Sequence, residues 1–301
     1  MKRTVPYFML ASLLLMTACQ NHKRDYDAEG FFESTEVIVS SEANGVILSM
    51  DIREGDEVVK GQVVGTIDST QLYLAKMQLL KSLESVEGNS PDVKKQVSVL
   101  EEQIKKLENE KKRVENLYKD GAATPKQLDD VNAQLAVARS QYEAQYSSLH
   151  NTVTSINAQS SSIEMQVAQM DDRLSKCKVR SPLSGTVLSL YAHSGEFAAA
   201  GKPLFKVADL QNVYLRAYFS SGEIPGLKLG QQVKVYADYG GDDTYAYDGT
   251  IEWISQKSEF TPHNIQTPDE RNNLVYAVKI AVKNDGKIKL GMYGGVKFIE
   301  Q

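Results

Sequence analysis

Two segments of the chain repeat one another at a fixed offset, and this repeat limits the fold more than any other feature. Placing Gly45 over Gly185 aligns the segment 44–68 with the segment 184–208 without a gap. Glycine tolerates positive φ and close backbone approach, so each matched glycine predicts a shared backbone requirement. The matched pairs are Gly45 with Gly185, Gly55 with Gly195, and Gly61 with Gly201. Each copy is typical of short strands that bury little alone, so together they predict one closed unit.

The repeated segments resemble the lipoyl (biotinyl-like) half-motif, in which two quasi-symmetric halves form a flattened barrel. In the carrier enzymes with this motif, an acceptor lysine lies on the hairpin that joins the halves. Here the much longer segment 69–177, of different character, replaces that hairpin. We therefore expect no lipoyl or biotin cofactor, and we interpret Lys60 and Lys202 as solvated turn residues.

The segment between the copies, 69–177, is poor in glycine and has the periodicity of a coiled coil. In the first leg, apolar residues spaced alternately by four and three predict a heptad seam: Val93, Val97, Leu100, Ile104 and Leu107. The seam continues through Lys111 to Val114 and Leu117. A second seam runs from Leu128 to Cys177, with a stutter at Tyr142 and Tyr146, and includes Leu135, Ala138, Leu149, Ser160 and Ile163. The segment 87–91 predicts a kink or short loop in the first leg, with Ser90 and Pro91 restarting the helix.

The midpoint of this segment has the signals of a turn between two helices. Gly121 is suited to end one helix, and Thr124 with Pro125 is suited to begin the next. With Ala122 as the tip, the leg that starts at Ser69 and the leg that ends at Lys176 are nearly equal in length. Legs of matching length predict an antiparallel hairpin about 80 Å long.

The tip also resembles a docking motif. Arg113, Leu117 and Thr124 match the Arg-x3-Leu-x6-Ser tip motif of periplasmic adaptor proteins, with Thr in place of Ser. That resemblance implies a surface that docks on an outer-membrane channel. The alternative left open by the residues is that Leu117 belongs to the seam, Arg113 is solvated and Thr124 is only a helix cap.

The amino terminus is typical of an export signal. Lys2 and Arg3 precede an apolar stretch of about twelve residues, which is shorter than the roughly 20 that a membrane-spanning helix needs. The small residues before Cys19 resemble the lipobox of bacterial lipoproteins, which implies a signal peptide over 1–18, a lipidated Cys19 and a tether over 19–32. The alternative is a plain signal peptide with an incidental cysteine. Cys177 is then the one remaining thiol, and we expect it to pack as a small apolar side chain near a helix end.

The last third, 211–301, has short alternating runs that predict a small β-barrel. A strand over 33–41 is expected to join it. The stretch from Glu259 to Tyr276 resembles the equivalent part of adaptors that serve ATP-binding-cassette (ABC) exporters.

Composition excludes several classes of function. The net charge of −5 argues against a nucleic-acid partner. The chain has two cysteines and four scattered histidines, which predict no metal site. It also lacks the Gly-x-Ser-x-Gly, His-Glu-x-x-His and phosphate-loop motifs, so we expect no catalytic residues, no cofactor and no enzyme activity.

The order of parts resembles the haemolysin-D-like membrane fusion proteins of the ABC-exporter-associated type. The expected fold is an elongated mixture of α and β: lipoyl-like (barrel-sandwich hybrid) halves over 42–68 and 178–210, a coiled-coil hairpin over 69–177 between them, and a β-barrel. The resemblance implies a lipid-anchored periplasmic adaptor of a Gram-negative inner membrane. Its partners would be further copies of itself in a hexamer, an ABC transporter and a TolC-like outer-membrane channel. The alternatives are an adaptor of a proton-driven RND-type pump and a coiled-coil lipoprotein spacer without a transporter.

Overall fold

The computed structural model describes residues 26–240, 244–260 and 274–299. Within these ranges the chain forms a β domain from the two repeat copies, a helical hairpin inserted between them, and a β-barrel. The predicted fold class is therefore confirmed. The predictions for the signal peptide and for Cys19 lie outside the described residues.

The two repeat copies exchange strands to form the two sheets of one hybrid domain. The amino-terminal half supplies β2 (Glu36–Ser40), β3 (Gly45–Met50), β4 (Glu57–Val58) and β5 (Val63–Ile67). The other half supplies β6 (Lys178–Arg180), β7 (Gly185–Leu190), β8 (Phe197–Ala198) and β9 (Pro203–Ala208). The strand orders are β2-β9-β7-β4 and β6-β5-β3-β8. Because both sheets contain strands from both halves, neither half forms a complete sheet alone.

Matched residues of the two copies hold the hybrid domain together with matched hydrogen bonds. The backbone N–H of Gly55 donates to the carbonyl of Val187, and that of Gly195 donates to the carbonyl of Ile47, each at 2.8 Å. Gly55 and Gly195 have φ of 93° and 90°, and Gly61 and Gly201 have φ of 83° and 87°. These are left-handed conformations that glycine adopts without steric cost.

The core of the hybrid domain also includes the end of the hairpin. Its fully buried side chains come from both copies: Val64, Val187, Leu204, Phe205 and Val207. Cys177 follows the last helix of the hairpin and is 2% exposed in the same core. Burial raises the pKa of its thiol. The prediction that Cys177 packs as a small apolar residue near a helix end is confirmed.

Three helices form the hairpin: α1 (Thr70–Gly88), α2 (Val93–Lys119) and α3 (Pro125–Lys176). Both α1 and α2 pack along α3, whose 52 residues span about 80 Å at 1.5 Å per residue. Predicted seam positions are the buried ones: Val97, Val114, Leu135, Ala138, Leu149, Ser160 and Ile163. Tyr146 differs, because it is 44% exposed and stacks between the rings of Tyr142 and His150.

The predicted interruption of the first leg occurs at residues 89–92, between α1 and α2. The prediction that Ser90 and Pro91 restart the helix is wrong, because the helix restarts slightly later. Asp92 is the N-cap, and its carboxylate accepts a hydrogen bond from the backbone N–H of Lys95 at 3.1 Å. A carboxylate satisfies one of the free N–H groups of the first turn, which explains why the helix begins there.

Six strands among the described residues close the β-barrel. They are β1 (Ala28–Glu33), β10 (Asn212–Ser220), β11 (Gln232–Asp238), β12 (Thr244–Ile254), β14 (Leu274–Lys283) and β15 (Tyr293–Phe298). Neighbouring strands follow the cycle β10-β1-β15-β11-β12-β14, and β14 pairs with β10 again. The short β13 (Glu259–Phe260) pairs with β14 outside this cycle. Alternate residues of β10 are fully buried inside: Val213, Leu215, Ala217 and Phe219.

The amino-terminal strand differs from the prediction. The segment that enters the barrel is β1 (Ala28–Glu33), which falls mainly within the predicted tether, 19–32. The predicted barrel strand, 33–41, instead forms β2, which pairs with β9 of the hybrid domain. An ion pair of 2.8 Å between Glu36 and Lys206 supports that pairing. The chain therefore passes from the barrel into the hybrid domain at residues 34–35.

Candidate docking site at the hairpin tip

The end of α2 has a hydrogen-bonded glycine cap that fixes the shape of the tip. Gly121 has a φ of 76°, and its backbone N–H donates to the carbonyl of Tyr118 at 3.1 Å. The backbone N–H of Ala122 donates to the carbonyl of Leu117 at 2.7 Å. These two bonds form a Schellman motif, which satisfies carbonyls that a helix end otherwise leaves free. The predicted turn therefore has a defined backbone geometry.

The start of α3 is fixed by a capping box. The hydroxyl of Thr124 accepts a hydrogen bond from the backbone N–H of Gln127 at 3.3 Å. The Oε1 atom of Gln127 accepts in return from the backbone N–H of Thr124 at 2.8 Å and lies 3.1 Å from its hydroxyl. Thr124 thus begins the helix, and Pro125 occupies the first helical position. Thr124 is exposed to solvent, but its hydroxyl is already engaged within the chain.

Arg113 and Leu117 lie one helical turn apart on α2 and project into solvent. The side chain of Leu117 is 42% exposed, although it continues the spacing of the buried seam. The side chain of Arg113 is 70% exposed, and its Nη2 atom lies 2.5 Å from the Oε1 atom of Glu110. An ion pair that is this exposed contributes little to stability, so the guanidinium is available to a partner. Leu117 is therefore not a core residue at this end of the hairpin.

The structure brings Arg113 and Leu117 onto one face and leaves Thr124 at the beginning of the other leg. No hydrogen bond among the described residues joins the three side chains. Tyr118 was not identified in the sequence, but it is 44% exposed beside Leu117. The two large side chains Leu117 and Tyr118, shortly before Gly121, are the sequence signal that would have identified Tyr118 as a contact residue. Tyrosine and arginine are enriched among the few residues that contribute most of the binding energy at protein interfaces.

Other predictions can be located or lie outside the described residues. Lys60 is exposed, whereas Lys202 pairs with Glu196 at 3.0 Å, so it is not simply solvated. The stretch that resembles ABC-exporter adaptors is described only at its ends, since 261–273 falls outside the described ranges. In the described part of the chain, no group of three or more His, Cys, Asp or Glu side chains is close enough together to hold a metal ion. No described helix has both the length and the apolar character required to cross a bilayer.

Comparison with known proteins agrees with this architecture. The family model of the CzcB-like barrel-sandwich hybrid domain matches residues 35–209. The UPF0194 membrane protein YE2891 of Yersinia enterocolitica is 26% identical over 284 residues, which cover 85% of this chain and 84% of that protein.

Two solved structures share the fold. MacA from Actinobacillus actinomycetemcomitans has a TM-score of 0.53 and 21% identity, over 89% of this chain and 76% of MacA. The membrane fusion protein Spr0693 from Streptococcus pneumoniae has a TM-score of 0.50 and 17% identity, over 91% of this chain and 99% of that chain.

Proposed function

The chain belongs to the CzcB-like barrel-sandwich hybrid family, and from this membership we propose that it is a periplasmic adaptor, or membrane fusion, subunit of a tripartite efflux or secretion system. The observation that carries the proposal is the tip of the hairpin. Leu117 and Arg113 are exposed beside a capped turn, at the end of a helical arm about 80 Å long. A coiled coil maintains such a distance, whereas a flexible linker of the same length does not.

The tip is proposed to dock on a TolC-like outer-membrane channel. Leu117 and Tyr118 would supply apolar contact, and Arg113 would supply charged hydrogen bonds to carboxylates or carbonyls of the channel. The role of Thr124 is then to fix the turn, because its hydroxyl already serves the capping box. At its other end the adaptor would bind an inner-membrane transporter.

We further propose an ABC exporter as the transporter, Cys19 as the lipidated residue of an adaptor held at the inner membrane of a Gram-negative bacterium, and a hexamer as the working form. The ABC assignment has its support in the resemblance of the stretch from Glu259 to Tyr276. The lipid anchor has its support in the small residues that precede Cys19. Neighbouring reading frames test the transporter class: an ATPase and a permease support the ABC assignment, and a proton-driven pump contradicts it.

The docking proposal is tested by cross-linking in intact cells followed by affinity capture from detergent-solubilised membranes. The test variants are Arg113→Asp and Leu117→Ser. We expect each to reduce captured channel at least tenfold while leaving captured transporter unchanged, because both side chains are exposed and distant from the hybrid domain.

Matched controls lie on the same helix. Lys105→Asp reverses a cation that is 69% exposed, and Val99→Ser removes an apolar side chain that is 74% exposed. Both controls should retain the channel. If the wild-type chain captures a transporter but no channel, the docking site is refuted. If it captures neither, the chain is a structural spacer and the adaptor proposal is refuted.

A further inference from the structure

The outer wall of the β-barrel carries aromatic side chains on four strands, β15, β1, β10 and β12, and a lysine on β14, which lies between β10 and β12. Strand register aligns one outward residue from each strand in a row: Tyr293 of β15, Phe31 of β1, Arg216 of β10, Lys279 of β14 and Trp253 of β12. Tyr293 is 72% exposed and Trp253 is 42% exposed. The alternate residues of these strands fill the barrel core, so the row belongs to the outside.

Further aromatic rings adjoin this row. Tyr214 and Tyr218 lie two positions on either side of Arg216 along β10 and face the same way. Tyr26 covers the outer side of Gly295, where an added Cβ would overlap the tyrosine ring. We call the following side chains the aromatic band: Tyr26, Phe31, Tyr214, Tyr218, Trp253 and Tyr293.

The two cations of the row, Arg216 and Lys279, are both in contact with neighbouring side chains. The Nη2 atom of Arg216 lies 2.7 Å from the Oε1 atom of Glu259, and its Nη1 atom lies 3.7 Å from Glu33. The Nζ atom of Lys279 lies 5.8 Å from the ring centroid of Trp253. Neither cation is therefore free, and aromatic rings make up most of this part of the wall. Glu29 adds one exposed carboxylate, since it is in register with Tyr218 and Gly295. Tyrosine and tryptophan with lysine or arginine beside them are the side chains enriched where proteins meet the headgroup level of a bilayer.

The position of the band in the chain limits its distance from the proposed anchor. Tyr26 is only seven residues after Cys19. A segment of that length spans at most about 25 Å when fully extended. If Cys19 is acylated, one end of the aromatic band cannot lie further than that from the anchoring residue.

We propose that the aromatic band rests on the phospholipid headgroup region of the membrane that holds Cys19. This inference rests on the lipid-anchored adaptor proposed above and adds a second, non-covalent membrane contact. The tether brings the barrel wall to the bilayer, and the amphipathic rings of the band enter the interface. The acyl chains of a lipobox cysteine would hold the chain at the bilayer, and contact through the band would orient the barrel against it.

The chain contains one tryptophan, so Trp253 is a built-in reporter of this contact. The experiment uses the full chain with Cys19→Ser, which removes the acylation site, and vesicles of phosphatidylethanolamine and phosphatidylglycerol at 3:1. We expect a blue shift of Trp253 emission, quenching by brominated lipids, and co-sedimentation with the vesicles. Tyr293→Ser should weaken vesicle binding about fivefold to tenfold, because it removes a ring from the interface.

Tyr146→Ser is the matched control, since Tyr146 is an exposed tyrosine on the hairpin, 44% accessible. It should bind vesicles as the parent does, and circular dichroism should show both variants folded. The contact should persist at 0.5 M salt, whereas loss at that salt would indicate charge-driven adsorption and contradict the aromatic contact.

Absence of quenching, or equal vesicle binding by the parent and Tyr293→Ser, refutes the membrane contact. If Tyr293→Ser binds vesicles normally but loses captured transporter, the band is a protein interface and the lipid proposal is wrong. Neither outcome depends on the channel capture that tests the adaptor function, so the two proposals can fail separately.

Discussion

Substituting alanine for the first glycine of each repeat copy tests whether the quasi-symmetric hybrid domain has the packing described above. Gly45 and Gly185 begin the matched strands β3 and β7. At Gly185 an added Cβ would lie 2.7 Å from the carbonyl carbon of Ala208 and closer still to its oxygen. At Gly45 the nearest atoms would be the Cγ2 of Ile67 at 2.9 Å and the carbonyl oxygen of Asp68 at 3.0 Å.

These distances predict unequal losses of stability. Gly185→Ala requires the end of β9 to move, and that end pairs with both β2 and β7 through Ala208. Overpacking costs about 1–3 kcal/mol, and each weakened backbone hydrogen bond costs about 1 kcal/mol more. We therefore expect Gly185→Ala to lose about 3–5 kcal/mol. Gly45→Ala needs a shift of only a few tenths of an ångström and should lose about 1 kcal/mol. Both variants restrict the unfolded chain equally, so that contribution cancels in the comparison.

Cys177 provides an assay that reports on the hybrid domain and on the end of α3 that packs into it. In a Cys19→Ser background it is the only thiol, and it is 2% exposed in the domain core. The rate at which a thiol reagent labels it under native conditions measures the free energy of opening that domain, when reclosing is faster than labelling. Gly185→Ala should label at least about thirtyfold faster than Gly45→Ala, since every 1.4 kcal/mol is about a factor of ten. Equal labelling rates, or faster labelling of Gly45→Ala, would refute the packing argument.

Two further predictions concern the hairpin. Ser160→Ala should raise the free energy of unfolding by about 1–2 kcal/mol, because the buried Ser160 hydroxyl has no hydrogen-bond partner among the described residues; urea unfolding followed by circular dichroism measures it. The control is Ser161→Ala at the exposed neighbouring position, where only the difference in helix propensity, about 0.5 kcal/mol, should raise stability. A gain there equal to that of Ser160→Ala would contradict the reasoning. Thr124→Ala should lower stability by about 1 kcal/mol in the same assay through loss of the capping box, whereas Thr124→Asp should keep it, because aspartate also caps helices. Equal loss in both variants would show that the cap is not the cause.

The parts of the fold that could be predicted have signals that repeat along the chain. The heptad spacing identified Val97, Val114 and Leu135 as seam residues, and all three are buried. The three matched glycine pairs identified the two halves of the hybrid domain, because glycines at equivalent positions indicate equivalent backbone conformations. In both cases the spacing of residues along the chain carries the information, and the pairing of strands need not be known.

The amino-terminal strands could not be assigned in this way. The segments 28–33 and 36–40 both alternate, so either is compatible with a barrel strand. Their partners, β9, β10 and β15, all lie beyond the hairpin in the chain, and pairing decides which sheet each segment joins. One local signal was available in Gly30, where an added Cβ would overlap the backbone carbonyl of Arg216. A glycine within an alternating run indicates close approach of another strand.

The exposure of Leu117 at the hairpin tip could not be predicted from sequence spacing either. The spacing of Leu117 fits the buried seam, yet the side chain is 42% exposed because α3 begins only at Pro125 and leaves little helix opposite it. Periodicity predicts which face of a helix a residue occupies, but burial also requires that the opposite helix extends to the level of that residue. The last apolar position before the turn is therefore the one most readily available to a binding partner.

The interruption of the first leg does not make the arm a flexible linker. The helix α3 continues through 52 residues, and both α1 and α2 pack against it. Two ion pairs show the register between the legs: Lys76 with Asp171 near the base and Arg139 with Glu108 nearer the tip, each at 2.6 Å. That register places Ser160 beside the end of α1, so α3 alone spans the break. The distance from the hybrid domain to Leu117 is therefore maintained by α3, and a helix-breaking change in α3 near Ser160 would disturb docking more than one in residues 89–92.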